Sequence, residues 1–205
     1  MELSKSEARM LVGFTLLVLL ASGIDPFDRL TWVLETAPVM LGVPLLIATH
    51  RRFPLTPLVY RLLFIHGLIL MLGGAYTYAR VPLGFWAQDA FDLARNHYDR
   101  LGHLAQGFIP AMLTREILLR ATTLQPGGWL FFLTTCVMLA FSASYEFVEW
   151  GSALVMGADA DAFLATQGDV WDTQWDMFMA LLGALLAQTV LSRVHDRQLT
   201  RRRSS

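Results

Sequence analysis

Hydrophobic residues run along this chain in long, nearly unbroken stretches, separated by short segments where charges, prolines and glycines gather. A helix on a soluble core carries a polar face along its length, whereas a membrane-crossing helix needs about 20 mainly apolar residues. Four stretches meet the second description readily: 8–24, 33–49, 58–79 and 129–150. A fifth, 175–194, meets it once Asp176 is accepted at its end. The stretch 99–119 is more polar, with His103, Gln106, Thr114 and Arg115. Its Leu101, Leu104, Phe108, Ile109, Met112 and Leu113 nevertheless cover most of its circumference. The pattern predicts an all-α polytopic membrane bundle of about six transmembrane helices, with 99–119 packed inside. Helices are the expected spanning form because lipid offers no partner to an unpaired backbone group.

Lys5 and Arg9 precede an apolar run over 10–24, and Ala21-Ser22-Gly23 resembles a cleavage site, as in a signal peptide. The further apolar stretches favour an uncleaved first helix instead. One transmembrane domain over 1–195 is expected, followed by a basic cytoplasmic tail over 196–205 that reads as disordered. An apolar content of 55%, a charged content of 16% and a mean hydropathy of +0.46 fit this class and exclude an ordinary soluble domain.

The net charge of −1 is uninformative, because the two signs are segregated. With the N-terminus inside, Lys5, Arg9, Arg51, Arg52, Arg61, Arg115, Arg120, Arg193, Arg197 and Arg201 to Arg203 fall on the inner side. Only Arg29, Arg80, Arg95 and Arg100 fall outside. The positive-inside rule then puts both termini in the cytoplasm. The basic clusters at 50–53 and 201–203 read as topology signals, not as a nucleic-acid patch. The lone Cys136 forms no internal disulfide. His66 reads as a packing or hydrogen-bonding group, and His50 and His195 as surface groups.

Most acidic residues gather towards the outer side. Asp25, Asp28, Glu35, Asp89, Asp92, Asp159 and Asp161 read as solvated charges. Three sets differ, because they recur at helical spacing within a predicted span. Asp99 and His103 are four apart and share a face. Ser142, Glu146 and Glu149 follow at intervals of four and three, and Asp169, Asp172 and Asp176 at three and four. Small residues extend two of these faces, namely Gly107 in one helix and Gly183 and Ala187 in another, as in helices that approach closely. The alternating topology brings all three sets to one depth just below the outer surface. Asp99 and Asp172 also suit helix N-caps, and Trp150, Trp171 and Trp175 suit an interfacial aromatic belt.

A group of carboxylates at that depth cannot stay ionised without compensation. It needs protons, a cation such as Arg95 or Arg100, or a metal ion. Asp99, His103, Glu146, Glu149, Asp172 and Asp176 are the candidate metal ligands, supported by Arg100, Asp169, Gln174 and Gln167. Several carboxylates with one imidazole and no thiolate suit Zn²⁺, Mg²⁺ or Mn²⁺.

The DRLGH run at 99–103, the Glu-x-x-Glu at 146–149 and TQGDVWDTQWDM at 166–177 resemble the YjdF-like inner-membrane family. The resemblance covers nearly the whole chain and implies a multi-pass bacterial inner-membrane protein of a family without known function. A more distant similarity is to VanZ-like membrane proteins, which carry an Asp-Lys-x-x-His helix, a Glu-x-x-Gln helix and an Asp-x-x-x-Asn helix. Glu149 and Asp176 stand where that pattern has Gln and Asn, so this site is the more acidic.

Three functions suit these residues: a metal-dependent hydrolase or transferase acting on a lipid-linked or periplasmic substrate, a proton- or cation-coupled transporter, or a structural network. HExxH, a Gly-rich phosphate loop and a Ser-His-Asp signature are absent from the sequence. The lipid bilayer is an expected partner and nucleic acid is not.

Overall fold

The computed structural model describes residues 3–156 and 164–203, and every regular element among them is helical. The order is α1 (Lys5–Ser22), α2 (Arg29–Thr49), α3 (Pro57–Tyr76), a 3-10 turn (Tyr78–Arg80), α4 (Pro82–Phe91), α5 (Tyr98–Ala121), α6 (Gly128–Met156) and α7 (Asp172–Arg203). Local signals set the starts. Ser4 Oγ accepts from the Glu7 amide at 3.1 Å at the head of α1, and prolines occupy the first turns of α3 and α4, where a missing N–H costs nothing.

Asp28 caps α2 by accepting from the Thr31 amide at 2.7 Å, and that bond holds its carboxyl below the usual carboxylate range. A folded-state pKa below the unfolded one gives stability that is present above the ordinary carboxylate range. It is lost as the pH falls through the folded value. Asp28→Ala is therefore expected to cost about 1 kcal/mol near neutral pH. The gap from wild type in a detergent melting series should narrow in acid, and a gap that stays constant with pH would refute this role.

Among the described residues four helices are long and apolar enough to cross a membrane: α2, α3, α6 over Gly128–Val155 and α7 over Asp172–Arg202. The other two stretches expected to span do form helices, but both are too polar to qualify by composition. α1 carries Lys5, Glu7 and Arg9, and α5 carries Asp99, Arg100, Arg115, Glu116 and Arg120. The charges of α5 are tolerated because it sits at the centre, packed against α3, α6 and α7. Phe14, Leu17, Leu41, Leu45, Phe132 and Val190 lie exposed on the outside, as a lipid-facing surface requires.

α5 and α7 form the tightest pair. A Cβ on Gly107 would collide with the Ala180 carbonyl oxygen, and one on Gly183 with the Leu104 carbonyl oxygen. The small-residue face expected from the sequence therefore brings two backbones into contact.

Three features depart from the sequence reading. The segment between α3 and α5, read only as a connector, contains α4, whose Leu83, Phe85, Trp86 and Phe91 are exposed. The tail expected to be disordered after His195 continues α7 as far as Arg203. His195 itself, expected at the surface, has no exposed area, because α7 stays packed against α5 at that level. Asp159 and Asp161 lie outside the described residues.

Candidate functional site

α5, α6 and α7 bring Asp99, His103, Glu146 and Asp176 into one buried group, with Glu149 half-buried beside it. His103 is the hub. Its Nε2 lies 3.7 Å from Asp99 Oδ1 and 3.9 Å from Asp176 Oδ2, while its Nδ1 lies 4.0 Å from Glu146 Oε1. Single ligand atoms of Asp99, His103 and Asp176 fall within 4.8 Å of one another, and so do those of His103, Glu146 and Glu149.

Gln106, one turn further along α5, resolves which nitrogen is available. Its Oε1 is 2.9 Å from His103 Nδ1, and an amide oxygen there fixes the proton on Nδ1. The Nε2 lone pair is left facing Asp99 and Asp176. That second contact is the kind that orients a ligating imidazole. Sequence reading counted Gln106 only as a polar blemish in a span. Its spacing of three from His103 was the available signal.

The remaining candidates are placed elsewhere. Arg95 binds Asp172 at 2.8 Å and Asp169 at 3.4 Å, and Arg100 binds Asp169 at 2.8 Å while lying over the Trp175 ring. The two arginines are thus engaged by Asp169 and Asp172 and not by the carboxylates around His103. Beside them His97, just ahead of α5, is held below its ordinary pKa by burial and by Arg100 and Arg95. Gln167 exchanges bonds with the backbone of Asn96, donating from Nε2 at 2.8 Å and accepting at 3.2 Å. Gln174 is exposed. Asp99 is not an N-cap, since His97 holds that position and Asp99 lies buried in the first turn of α5.

Both carboxylate oxygens of Glu146 and Oδ1 of Asp176 are buried without a hydrogen-bond partner, with Glu146 6% and Asp176 2% exposed. Thr173 lies near Glu146 without reaching hydrogen-bond geometry. Glu35, read as a solvated charge, is instead buried and accepts from Tyr145 Oη at 3.1 Å, joining α2 to α6 beside His103. Its place two residues inside the stretch 33–49 was the clue.

A second buried polar group, unnoticed in the sequence, lies towards the other end of α5, and every acceptor in it is used. Glu116 has no exposed area and accepts from Thr56 N at 3.1 Å, Thr56 Oγ1 at 2.7 Å and Arg120 at 2.6 Å, with His195 Nε2 at 3.1 Å. His195 Nδ1 faces Arg115, which also pairs with Asp196 at 2.8 Å. Arg120 stacks on Phe53 and donates to the Pro54 carbonyl, fastening the α2–α3 loop. Glu116 is thus fully paired, whereas Glu146 and Asp176 carry unpartnered oxygens.

A family model described as "Predicted membrane protein (DUF2238)" matches residues 8–197. The Escherichia coli (strain K12) inner membrane protein YjdF is 55% identical over 185 residues, covering 90% of this chain and 88% of that protein. No solved structure matches. With its apolar helices, its central polar α5 and this extent of similarity, the chain belongs to the YjdF-like DUF2238 family of membrane proteins.

Proposed function

We propose that Asp99, His103 and Asp176 hold a divalent cation, Zn²⁺, Mg²⁺ or Mn²⁺, in an inner-membrane bundle that acts on a lipid-linked or periplasmic substrate. In this reading six helices, α1 to α3 and α5 to α7, span the membrane as one domain over 1–195 with a basic tail over 196–205. Both termini face the cytoplasm, and the site lies near the outer face.

The observation that carries the reading is the set of unpartnered carboxylate oxygens on Glu146 and Asp176. Buried charge without a partner costs several kcal/mol per ion in order of magnitude, and a bound cation removes that cost. The buried carboxylate of Glu116, by contrast, is fully paired. The distances of 3.7 and 3.9 Å from His103 Nε2 suit neighbouring ligands on one ion, for bonds of about 2.0–2.2 Å. Bound there, the ion would polarise a phosphoryl or carbonyl oxygen or acidify a water. Glu146 is near enough to take up a proton, and Glu149 flanks it. Asp172 and Asp169, held by Arg95 and Arg100, shape the rim of the site.

Elemental analysis and Mn²⁺ titration of purified protein test this. Wild type is expected to hold about one ion per chain, and His103→Ala and Asp176→Asn to lose at least about tenfold in affinity while remaining folded. Folded wild type that takes up none of the three metals would end this reading. A cation-coupled transporter is the second reading, favoured by the cavity that reaches the cluster from the N-terminal end of α1. Uptake into proteoliposomes driven by pH and abolished by Glu149→Gln would replace the first reading with it.

A further inference from the structure

A cavity of about 830 Å³ lies between α1, α2 and α3 on one side and α5 and α6 on the other. That volume is in the range of ligand pockets, roughly 300–1,000 Å³. Its walls are mainly apolar, with Glu35, Asp99, His103, Tyr145 and Glu149 lining one end and Arg9, His50 and Tyr60 the other. Four of its lining residues are also among the exposed apolar side chains of the bundle: Leu45 and Ile47 on α2, and Val137 and Phe141 on α6. α2 and α6 are joined by the Tyr145–Glu35 bond near the polar end. Below that bond the cavity opens sideways, where a spanning bundle faces lipid.

Its length suits a hydrocarbon chain. Along α2 it runs from Glu35 to His50, about 22 Å at the helical rise and more than half of a hydrocarbon core of about 30 Å. Between its polar residues at the two ends the cavity is also lined by Thr15, His66, Gln106 and Thr114. His66 Nε2 is buried with no hydrogen-bond partner, and His66 lines the cavity. Its neighbour Gly67 lies beside Val39, one turn beyond Glu35, and Gly74, about two turns further along α3, lies beside Glu35 itself, so His66 sits below the polar end. An amphiphile with a charged head, an ester carbonyl below it and a long chain matches that order of groups.

Resting on the metal reading above, we propose that the substrate is a bilayer phospholipid that enters between α2 and α6. Its phosphate meets the cation at Asp99, His103 and Asp176, an ester carbonyl accepts from His66 Nε2, and one acyl chain fills the cavity. A water-soluble periplasmic substrate has no use for the apolar length, so this narrows the two substrate classes to the lipid.

The test uses the full chain in phosphatidylcholine nanodiscs containing a small fraction of phosphatidic acid with a diazirine at the end of one chain. After irradiation, adducts are mapped by mass spectrometry. Adducts are expected on inward residues at the far end of the cavity such as Leu46 and Leu113, and their yield should fall several-fold on chelation of Mn²⁺. A Cβ on Gly42 or on Gly13 meets no atom within 4 Å, so Gly42→Phe and Gly13→Phe fill the cavity without a backbone clash. Each should cut the inward adducts about tenfold while leaving Mn²⁺ binding intact, and His66→Leu should cut them less. Adducts confined to outward residues such as Leu41 and Phe147, the result if a second copy covered the groove, would overturn the proposal and leave the metal reading standing. Inward adducts in a protein that binds no Mn²⁺ would overturn the head-group assignment and the metal reading together.

Discussion

Replacing Glu116 with alanine is expected to lower the stability of the bundle by about 3–5 kcal/mol, the range for removing one partner of a buried ion pair. The carboxylate receives two donors from Thr56, one from Arg120 and a contact from His195, and has no exposed area. Its loss removes the acceptor shared by Thr56, Arg120 and His195 and weakens the hold of α5 on the α2–α3 loop. Glu116→Gln keeps the shape and part of the acceptor capacity, so its loss should be smaller. Thermal unfolding in detergent gives the readout. A wild-type melting temperature for Glu116→Ala would refute the structural role, and Mn²⁺ binding measured well below the transition should survive, because the two clusters are separate.

Gly183→Val should act on both stability and the site. A side chain at Gly183 would strike the backbone of Leu104 and Phe108, and neither contact is the movable end of a side chain. Overpacking commonly costs about 1–3 kcal/mol, and a backbone collision belongs at or above the top of that range. Because Asp99 and His103 sit on α5 and Asp176 on α7, forcing these helices apart also separates the proposed ligands. Melting temperature and Mn²⁺ affinity are therefore expected to fall together. Gly13→Ala is the control with the opposite sign. Nothing lies near its Cβ, and alanine is favoured over glycine within a helix by about 1 kcal/mol. Equal melting shifts for the two variants would contradict the close approach of α5 and α7.

The two polar clusters lie on the same helix, α5, and their difference bears on every variant above. At Glu116 the donors outnumber the acceptors and are supplied from the α2–α3 loop, α5 and α7. Around His103 the acceptors predominate, and the nearest arginines are engaged by Asp169 and Asp172. A charge-reversing variant at Arg100 should therefore disturb the rim of the site before it disturbs the ligands.

The all-helical character, the positions of the long apolar helices and the face shared by Asp99 and His103 were legible in the sequence. Each follows from near neighbours in the chain: the length of an apolar run, or residues four apart that must lie on one side of a helix. Gly107 and Gly183 were legible for the same reason, as small residues continuing a polar face. Pairings between distant residues were not. That Arg95 takes Asp172, that Gln167 turns to Asn96, and that Glu35 meets Tyr145 depend on how helices from separate parts of the chain are set against one another. His195 is the plainest case. Its neighbours in the chain are those of a solvated tail, and only the packing of α7 along α5 brings it to Glu116. Hydrophobic periodicity depends on a residue's own helix, whereas the partner of a buried charge depends on another helix. The tertiary structure alone therefore decided which carboxylates are satisfied and which are left without a partner.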